Sequence, residues 1–243
     1  MALLIGGVLV LVVGGLLSTS YLRALQERAE KSDAHLGRAR HAERAVLILV
    51  RTELHELLEQ LGLNSNGRVS LFLDTATALA LVGRYSAMPT FDRTTGRAEY
   101  PYDEGVIGKA WEKGAWEEPR LSNPGARDAP ANPRWIDQQC GRYNLPRDEV
   151  QTMTMRSRSY AAIRLECGGR LVGVLIAEDV RIADETPSSD RTGGHHAVSV
   201  AALNALSGGD LVRQLSELLG RMCDMDHDAL RDGLRDQLNR PSS

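Results

Sequence analysis

The stretch YAAIRLECGGRLVGVLIA, residues 160–177, decides the fold class of this chain of 243 residues. Its first half alternates between two sets of side chains, as a half-buried strand does, and Gly168-Gly169 predicts a tight turn. Residues 171–177 are an unbroken apolar run, which is typical of a central strand covered on both faces. The sequence therefore predicts an antiparallel strand pair in the middle of a sheet, with Gly173 at a point of the central strand where a side chain would clash with a covering helix.

A second strand pair is predicted nearer the N-terminus. Val69, Leu71 and Leu73 fall on one face of a strand, and residues 79–85 resume the alternation after a short turn, with Leu79, Leu81 and Tyr85 on one face. Residues 105–111 predict a glycine-rich entry into a short helix. Residues 119–150 are rich in proline and predict a long excursion with short helices.

Two amphipathic stretches, residues 197–206 and 211–222, predict helices after the second strand pair. The order of elements predicts an α+β fold in which helices pack on a central antiparallel sheet. Apolar residues make up 42% of the chain, enough for a packed core. The net charge of −3 provides no general excess of basic residues, so no nucleic-acid partner is predicted.

Three segments resemble the GAF family of small-molecule sensor domains: GVIGKAWEKG at residues 105–114, SYAAI at 159–163 and GRLVGVL at 169–175. The resemblance extends over residues 46–206. It implies a GAF/PAS-like fold with a small-molecule site between the sheet and the helical excursion. These segments are mainly structural glycines and core strands, so they bear on the fold more than on the ligand.

The excursion carries all three tryptophans, and aromatic walls with a few polar groups suit a ligand pocket. The alternative is that these rings only cap the sheet. No catalytic residue and no metal site is predicted, since His195-His196 fits the first turn of a helix better, and the cofactor stays unassigned. The predicted ligand-binding residues are Tyr100, Tyr102, Trp111, Arg134, Trp135, Cys140 and Tyr143.

The cysteines Cys140, Cys167 and Cys223 form no C-x-x-C pair, so neither a zinc knuckle nor a redox pair is indicated. Of the Asn-Lys-Phe-Asp-Glu signature of cyclic-nucleotide-binding GAF domains, the sequence has only Phe91-Asp92. The favoured function is a non-catalytic sensory or regulatory protein that binds a small molecule or a signalling partner. The alternatives are a thiol-dependent enzyme on the same fold, using Cys140 or Cys167, and a structural scaffold without a ligand.

Residues 1–22 contain no charged side chain and are long enough for one membrane-spanning helix, which needs about 20 apolar residues. Arg23, Arg28 and Lys31 follow the apolar run and no cation precedes it, so the globular part is expected in the cytoplasm of a single-pass membrane protein. The alternative is a cleaved signal peptide, which would lack the usual positive start.

Residues 23–45 predict a helical linker between the anchor and a GAF-like domain at 46–222, and residues 223–243 predict a short helix and tail. An apolar stripe starts at the linker's end. It predicts either a parallel coiled-coil homodimer or packing on its own domain, and the sequence leaves both open. The stripe consists of Leu47, Val50, Leu54, Leu57 and Leu61.

Overall fold

The computed structural model describes residues 44–93, 97–182, 198–207 and 210–223. Residues 44–60 are helical and are called α1. The other elements, in chain order, are β1 (Gly67–Asp74), β2 (Leu79–Tyr85), β3 (Glu99–Tyr100), α2 (Gly105–Lys113), β4 (Ala115–Glu118), α3 (Pro133–Tyr143), α4 (Arg147–Thr152), β5 (Ser159–Cys167), β6 (Arg170–Asp179), α5 (Val200–Ser207) and α6 (Asp210–Cys223).

The predicted anchor at residues 1–22, nearly all of the linker at 23–45, His195-His196 and the tail after residue 223 lie outside the described residues, so these assignments stay predictions. Within the described ranges, no helix combines the length and the apolar character needed to cross a membrane.

The six strands form one antiparallel sheet in the order β3-β2-β1-β6-β5-β4. The pair predicted from residues 160–177 lies at its centre, because β6 pairs with β1 on one side and with β5 on the other. Gly168 and Gly169 form the turn with φ of 58° and 79°, which glycine adopts without steric penalty. The predicted α+β class with a central antiparallel sheet is confirmed.

One face of the sheet, called the packed face, is apolar and covered by α1, α5 and α6. Val69, Leu71 and Leu73 of β1 are fully buried, as are Leu175 and Ala177 of β6. Their pairing across the ladder places them side by side, Leu71 opposite Leu175 and Val69 opposite Ala177. Burial of these aliphatic side chains on both strands is a main source of the domain's stability.

Gly173 of β6 marks how closely α6 approaches the packed face. A Cβ at this position would lie 2.1 Å from the backbone oxygen of Phe72 and 2.7 Å from Cδ1 of Leu219 on α6. Both distances are well below van der Waals contact. The sequence-based expectation that Gly173 lies in a central strand beneath a covering helix is confirmed.

The apolar stripe of α1 packs largely within its own domain. Val50, Leu54 and Leu57 are fully buried and Leu61 nearly so. A Cβ at Gly83 of β2 would lie 2.8 Å from Val50, so α1 rests directly on the sheet. Of the two interpretations left open by the sequence, packing on its own domain accounts for the stripe from residue 50 to 61. The homodimer stays a prediction.

The opposite face, called the cavity face, is covered by α2, α3 and α4. Ile107 and Ala110 of α2 and Trp135 and Ile136 of α3 pack in one apolar cluster with sheet residues such as Ala162. Asn132 caps α3, since its side chain accepts a hydrogen bond from the Arg134 amide. The predicted excursion with short helices is therefore present between β4 and β5.

A β-bulge in β2 changes which side chains reach the cavity face. Leu71 pairs with Gly83 whereas the next residue, Phe72, pairs with Leu81, so one residue of β2 is extra. The expectation that Leu79, Leu81 and Tyr85 share one face is wrong for Tyr85, whose ring lies 4.6 Å from that of His55 on α1. The bulge instead turns Arg84 towards the cavity face.

Candidate functional site

A cavity of about 380 Å³ lies between the cavity face and the helices that cover it. Strands β1, β2, β5 and β6 form its floor, and the start of α2, part of α3 and the segments around residues 90 and 153 form its walls. Its size falls in the range of small-molecule pockets, which is roughly 300–1,000 Å³. The apolar and aromatic lining consists of Phe72, Tyr100, Val106, Ile107, Leu145, Met153, Met155, Tyr160 and Ile176.

The polar part of the lining is rich in arginine. Four arginines and two glutamates face the cavity, so its described charged side chains have an excess of positive charge. In a space partly closed off from water, such charges interact more strongly than at the surface. The charged lining residues are Arg68, Arg84, Arg93, Arg97, Glu149 and Glu178.

Glu178 of β6 is a buried carboxylate with both oxygens occupied. Nε of Arg68 donates to Oε1 at 2.7 Å, and the hydroxyl of Ser157 donates to Oε2 at 2.7 Å. Because a buried charge is stable only when it is paired and hydrogen-bonded, this arrangement compensates both Glu178 and Arg68.

The other carboxylates near the cavity also have arginine partners. Arg97 donates to Glu149 at 2.9 Å and also to Glu104. Asp92, on the loop after β2, binds Arg51 of α1 through both oxygens, at 3.1 and 2.6 Å. The positive charges of Arg97 and Arg51 are therefore matched by these carboxylates.

Arg84 has no such carboxylate partner among the described residues. Its Nη1 donates to the backbone oxygen of Arg93 at 3.2 Å, and its buried Nε has no hydrogen-bond acceptor there. Burial, followed by the positive charge of Arg68, lowers the pKa of Arg84 to about 10. The guanidinium is still protonated at neutral pH, so it is a cation for which the described residues provide no ion-paired carboxylate.

Two hydroxyls in the same lining also lack partners within the described ranges. The Oγ of Ser70 and the Oγ1 of Thr90 are buried and accept or donate no hydrogen bond there. Ser70 pairs with Arg84 across the ladder, so these two side chains are neighbours on the cavity face. Since buried polar groups in proteins are nearly always hydrogen-bonded, this wall is suited to a polar ligand group.

Of the seven predicted ligand-binding residues, the structure places Tyr100 in the cavity lining. Its ring meets Phe72 edge-on, with centroids 5.7 Å apart, and Arg97 lies 4.9 Å above it. The pKa of Tyr100 is raised by burial, although the nearby positive charges of Arg84 and Arg68 oppose this. Its hydroxyl is therefore neutral at physiological pH.

The other six predicted residues lie outside the lining. Trp135 and Tyr143 are fully buried, the indole donating to the Ser157 oxygen at 3.0 Å and the phenol to Glu118 at 3.0 Å. Because both rings point into the core cluster, the alternative that they cap the sheet describes their environment. The remaining four residues, Tyr102, Trp111, Arg134 and Cys140, lie at the edge of the core cluster or at the surface.

Tyr102 and Trp111 stack on each other with centroids 5.4 Å apart, at the edge of the core cluster. Cys140 is half-buried against the same cluster, and Arg134 is exposed on α3. Most of the aromatic residues selected in the excursion therefore belong to the hydrophobic core or its edge, and not to the lining of the cavity.

The cysteines bear on the enzymatic alternative. Cys140, Cys167 and Cys223 are all free thiols, and none is among the described residues that line the cavity. Cys167 ends β5 beside α6, where a Cβ on Gly220 would lie 2.8 Å from its sulfur. The thiols and the cavity are therefore separate features of the described structure.

Sequence reasoning did not select Arg84, Ser70 or Thr90. The available signal was the pattern of β2, LALVGRY, in which Gly83 and Arg84 interrupt an apolar strand. A glycine in a strand indicates a bulge or a close backbone approach. A bulge at Gly83 places Arg84 on the cavity face, together with Leu79 and Leu81.

The GAF-like fold that the sequence predicts is the fold of the described residues, a six-stranded antiparallel sheet with helices on both faces. No protein-family model matches the chain, and no curated protein matches it. Comparison with solved structures does find similar chains.

A free methionine-R-sulfoxide reductase from Neisseria meningitidis, in complex with its substrate, is 21% identical, with 64% of this chain and 70% of that chain covered and a TM-score of 0.36. A GAF domain/HD domain protein from Geobacter sulfurreducens is 14% identical, with 76% and 99% covered and a TM-score of 0.43. The GAF domain of a two-component sensor histidine kinase from Bacillus halodurans is 14% identical, with 70% and 93% covered and a TM-score of 0.41. They include a reductase and a domain of a sensor histidine kinase, and what each does is a property of that protein.

Proposed function

We propose that this chain is a non-catalytic sensory or regulatory protein that binds a small molecule in the cavity between the sheet and helices α2–α4. The observation that carries the proposal is the cavity lining, which combines apolar side chains with three buried polar atoms that have no partner among the described residues, namely Oγ of Ser70, Nε of Arg84 and Oγ1 of Thr90. Pockets of this kind bury the apolar body of a ligand and use few polar groups to orient it. A thiol-dependent reaction in this cavity is not favoured, since no described lining residue of it is a cysteine, and Cys167 lines a separate depression beside α5 and α6.

A physical connection between the cavity and α1 supports a signalling role. Thr90 and Arg93 line the cavity, and Asp92, between them in sequence, binds Arg51 of α1 with two hydrogen bonds. The guanidinium of Arg51 also lies 5.1 Å from the ring centroid of Tyr85. A ligand that favours one position of residues 90–93 would change the strength of the Arg51–Asp92 contact, and so the packing of α1.

The proposal also includes a membrane location and a partner. Residues 1–22 are uncharged and mostly apolar, and the predicted linker at 23–45 leads from them into α1. A change in the packing of α1 would then act on residues next to the membrane, on a second copy of the chain or on another signalling protein. These parts rest on the sequence pattern alone.

Native mass spectrometry of the full chain, released from detergent, tests the binding proposal. We expect a small molecule to copurify with the parent protein and to be reduced or lost in Ile176→Phe, because Ile176 lines the cavity and a larger ring fills part of it. The control is Val69→Ile on the packed face, which leaves the cavity unchanged. Absence of any bound molecule from the parent, together with no response to added compounds, would favour the ligand-free scaffold.

The connection to α1 has its own test. Hydrogen exchange in residues 49–60 should differ between ligand-bound and ligand-free protein, and Asp92→Asn should reduce this difference because the amide cannot hold Arg51 as a bidentate ion pair. The control is Asp137→Asn, which removes an exposed carboxylate from the ion pair between Asp137 of α3 and Arg147 of α4. Equal exchange differences in the parent and in Asp92→Asn would show that the signal takes another route.

A further inference from the structure

We infer that the small molecule is an organic anion, whose carboxylate or phosphate group binds beside Arg84, Ser70 and Thr90. This inference rests on the proposed function, because it concerns the ligand of the same cavity. It adds the chemical class of the ligand and the end of the cavity at which its charged group lies.

The first argument is the charge balance of the cavity wall. Glu178 is bound by Arg68 and Ser157, and Glu149 is bound by Arg97. Asp92 is bound by Arg51, on the far side of its loop. Each of these carboxylates is thus engaged by an arginine other than Arg84, with Arg97 serving both Glu149 and Glu104, and the Arg84 guanidinium is left with one backbone carbonyl at 3.2 Å.

A partly buried cation whose Nε is fully buried is unfavourable in this position without a paired anion. Desolvation penalises the charged form of Arg84 and the charge of Arg68 repels it, and together these effects outweigh the attraction of Glu178 and Asp92. An anionic ligand would supply the missing charge and would accept a hydrogen bond from the unpartnered Nε. Charge-assisted hydrogen bonds of guanidinium to carboxylate or phosphate are among the stronger ones in proteins.

The second argument is the hydroxyl pair. Ser70 and Thr90 present buried Oγ atoms without partners in the described structure, and both face the same cavity as Arg84. Hydroxyls are donors to anionic oxygens as readily as they are donors to water. A carboxylate or phosphate has several oxygens, so it can accept from the guanidinium and from a hydroxyl at the same time.

The rest of the cavity requires an apolar body on the anion. Phe72, Ile107 and Ile176 line the same space, and the volume of about 380 Å³ is much larger than one carboxylate group. An inorganic anion would leave this apolar part without contacts. The ligand class is therefore an acid with a compact charged group and an apolar remainder.

Isothermal titration of the full chain with three matched probes tests the inference. The probes are phenylacetate, phenyl phosphate and the neutral phenylacetamide, which has nearly the shape of phenylacetate without its charge. We expect at least one anion to bind about tenfold or more tightly than the amide. Inorganic phosphate, added as a fourth probe, should bind more weakly than phenyl phosphate if the apolar body contributes.

Two variants connect the preference to Arg84. Arg84→Met should remove the preference for the anion over the amide, and its melting temperature should be no lower than that of the parent, because a poorly compensated buried charge is replaced by an apolar chain of similar length. Arg84→Lys should keep part of the preference. An unchanged preference in Arg84→Met overturns the inference, as does equal binding of anion and amide by the parent.

The possible outcomes distinguish failure of this inference from failure of the proposed function. If a neutral molecule copurifies, the cavity is a ligand site and only the anionic class is wrong. The same conclusion follows if the amide binds more tightly than the anions and its binding is lost in Ile176→Phe. If no probe binds at millimolar concentration and nothing copurifies, both the inference and the proposed function fail. Loss of anion binding in Arg84→Met with amide binding intact supports both.

Discussion

The two faces of the central sheet differ in how adjacent residues of the same strand are packed. On the packed face, Leu175 and Ala177 of β6 are fully buried beneath helices. On the cavity face, Ile176 and Glu178 of the same strand border an open space with buried charges. The comparison indicates that the packed face is filled by apolar side chains, whereas the cavity face, beside its own buried apolar cluster, retains unfilled volume and an arginine without a carboxylate partner among the described residues, as a binding site requires.

The largest expected loss of stability comes from the part of the cavity face that is filled by the apolar core cluster. Trp135 is fully buried there and its indole donates to the Ser157 oxygen. Trp135→Ala should lower the free energy of unfolding by about 3–5 kcal/mol, since it creates a large void and leaves a carbonyl unpaired. Urea unfolding of the full chain measures this loss.

The matched control for that prediction is Trp111→Ala, because Trp111 is only partly buried at the edge of the same cluster. We expect a clearly smaller loss of stability from it. A melting temperature unchanged by Trp135→Ala would mean that the indole is not part of the core and would return it to the set of possible ligand-binding residues.

The next effect concerns the packed face. Gly173→Ala should cost up to about 3 kcal/mol, because the new Cβ would lie 2.1 Å from the Phe72 backbone oxygen, which has little freedom to move. Gly141→Ala on α3 is the control, since a Cβ there meets nothing within 4 Å. The control should be neutral or stabilising by about 0.5–1 kcal/mol in a helix interior.

The contrast between the faces is sharpened by one substitution made at two consecutive positions. Leu175→Phe adds volume to the closed packed face and should destabilise by about 1–3 kcal/mol. Ile176→Phe adds volume next to the cavity and should cost less, because the ring can enter existing space. Equal losses in thermal unfolding of the two variants would contradict the distinction between a filled face and a hollow one.

The sequence predicted most of the fold because its strongest signals are local. The alternation in residues 160–166, the glycine turn at 168–169 and the apolar run at 171–177 each follow from hydrophobic period and turn chemistry. Gly173 was predicted correctly for the same reason, since an inward-facing glycine in an apolar strand indicates close packing.

The candidate site was less predictable, because its position depends on a bulge and on pairing between distant residues. The extra residue of β2 before Gly83 exchanges the faces of Arg84 and Tyr85, and a strict period of two assigns them the other way. Whether an arginine has a carboxylate partner depends on contacts such as Arg68 with Glu178, which are 110 residues apart. Aromatic residues, in contrast, were selected by composition, and most of them fill the core.

The smallest expected effect is a pH dependence that is nearly flat. Binding of phenylacetate beside Arg84 requires the protonated guanidinium, and the pKa of Arg84 is lowered to about 10 by burial. The guanidinium is therefore about nine-tenths protonated at pH 9 and almost fully protonated at pH 8.5 and below, and affinity should fall mainly as the pH rises through about 10. Burial also raises the pKa of Tyr160, so its hydroxyl stays neutral over the same range. No histidine is among the described lining residues.

Titrations at pH 6.5, 7.5 and 8.5 should accordingly give dissociation constants within about threefold of one another, since no proton is taken up or released by Arg84 on binding. The Arg84→Lys variant sharpens the comparison. An unperturbed lysine has a pKa of about 10.4, and the same burial would lower it, so its anion affinity should begin to fall at a lower pH than in the parent. A parent affinity that drops steeply between pH 6.5 and 8.5 would require a group that titrates near neutrality to hold the anion, and Arg84 would not be that group.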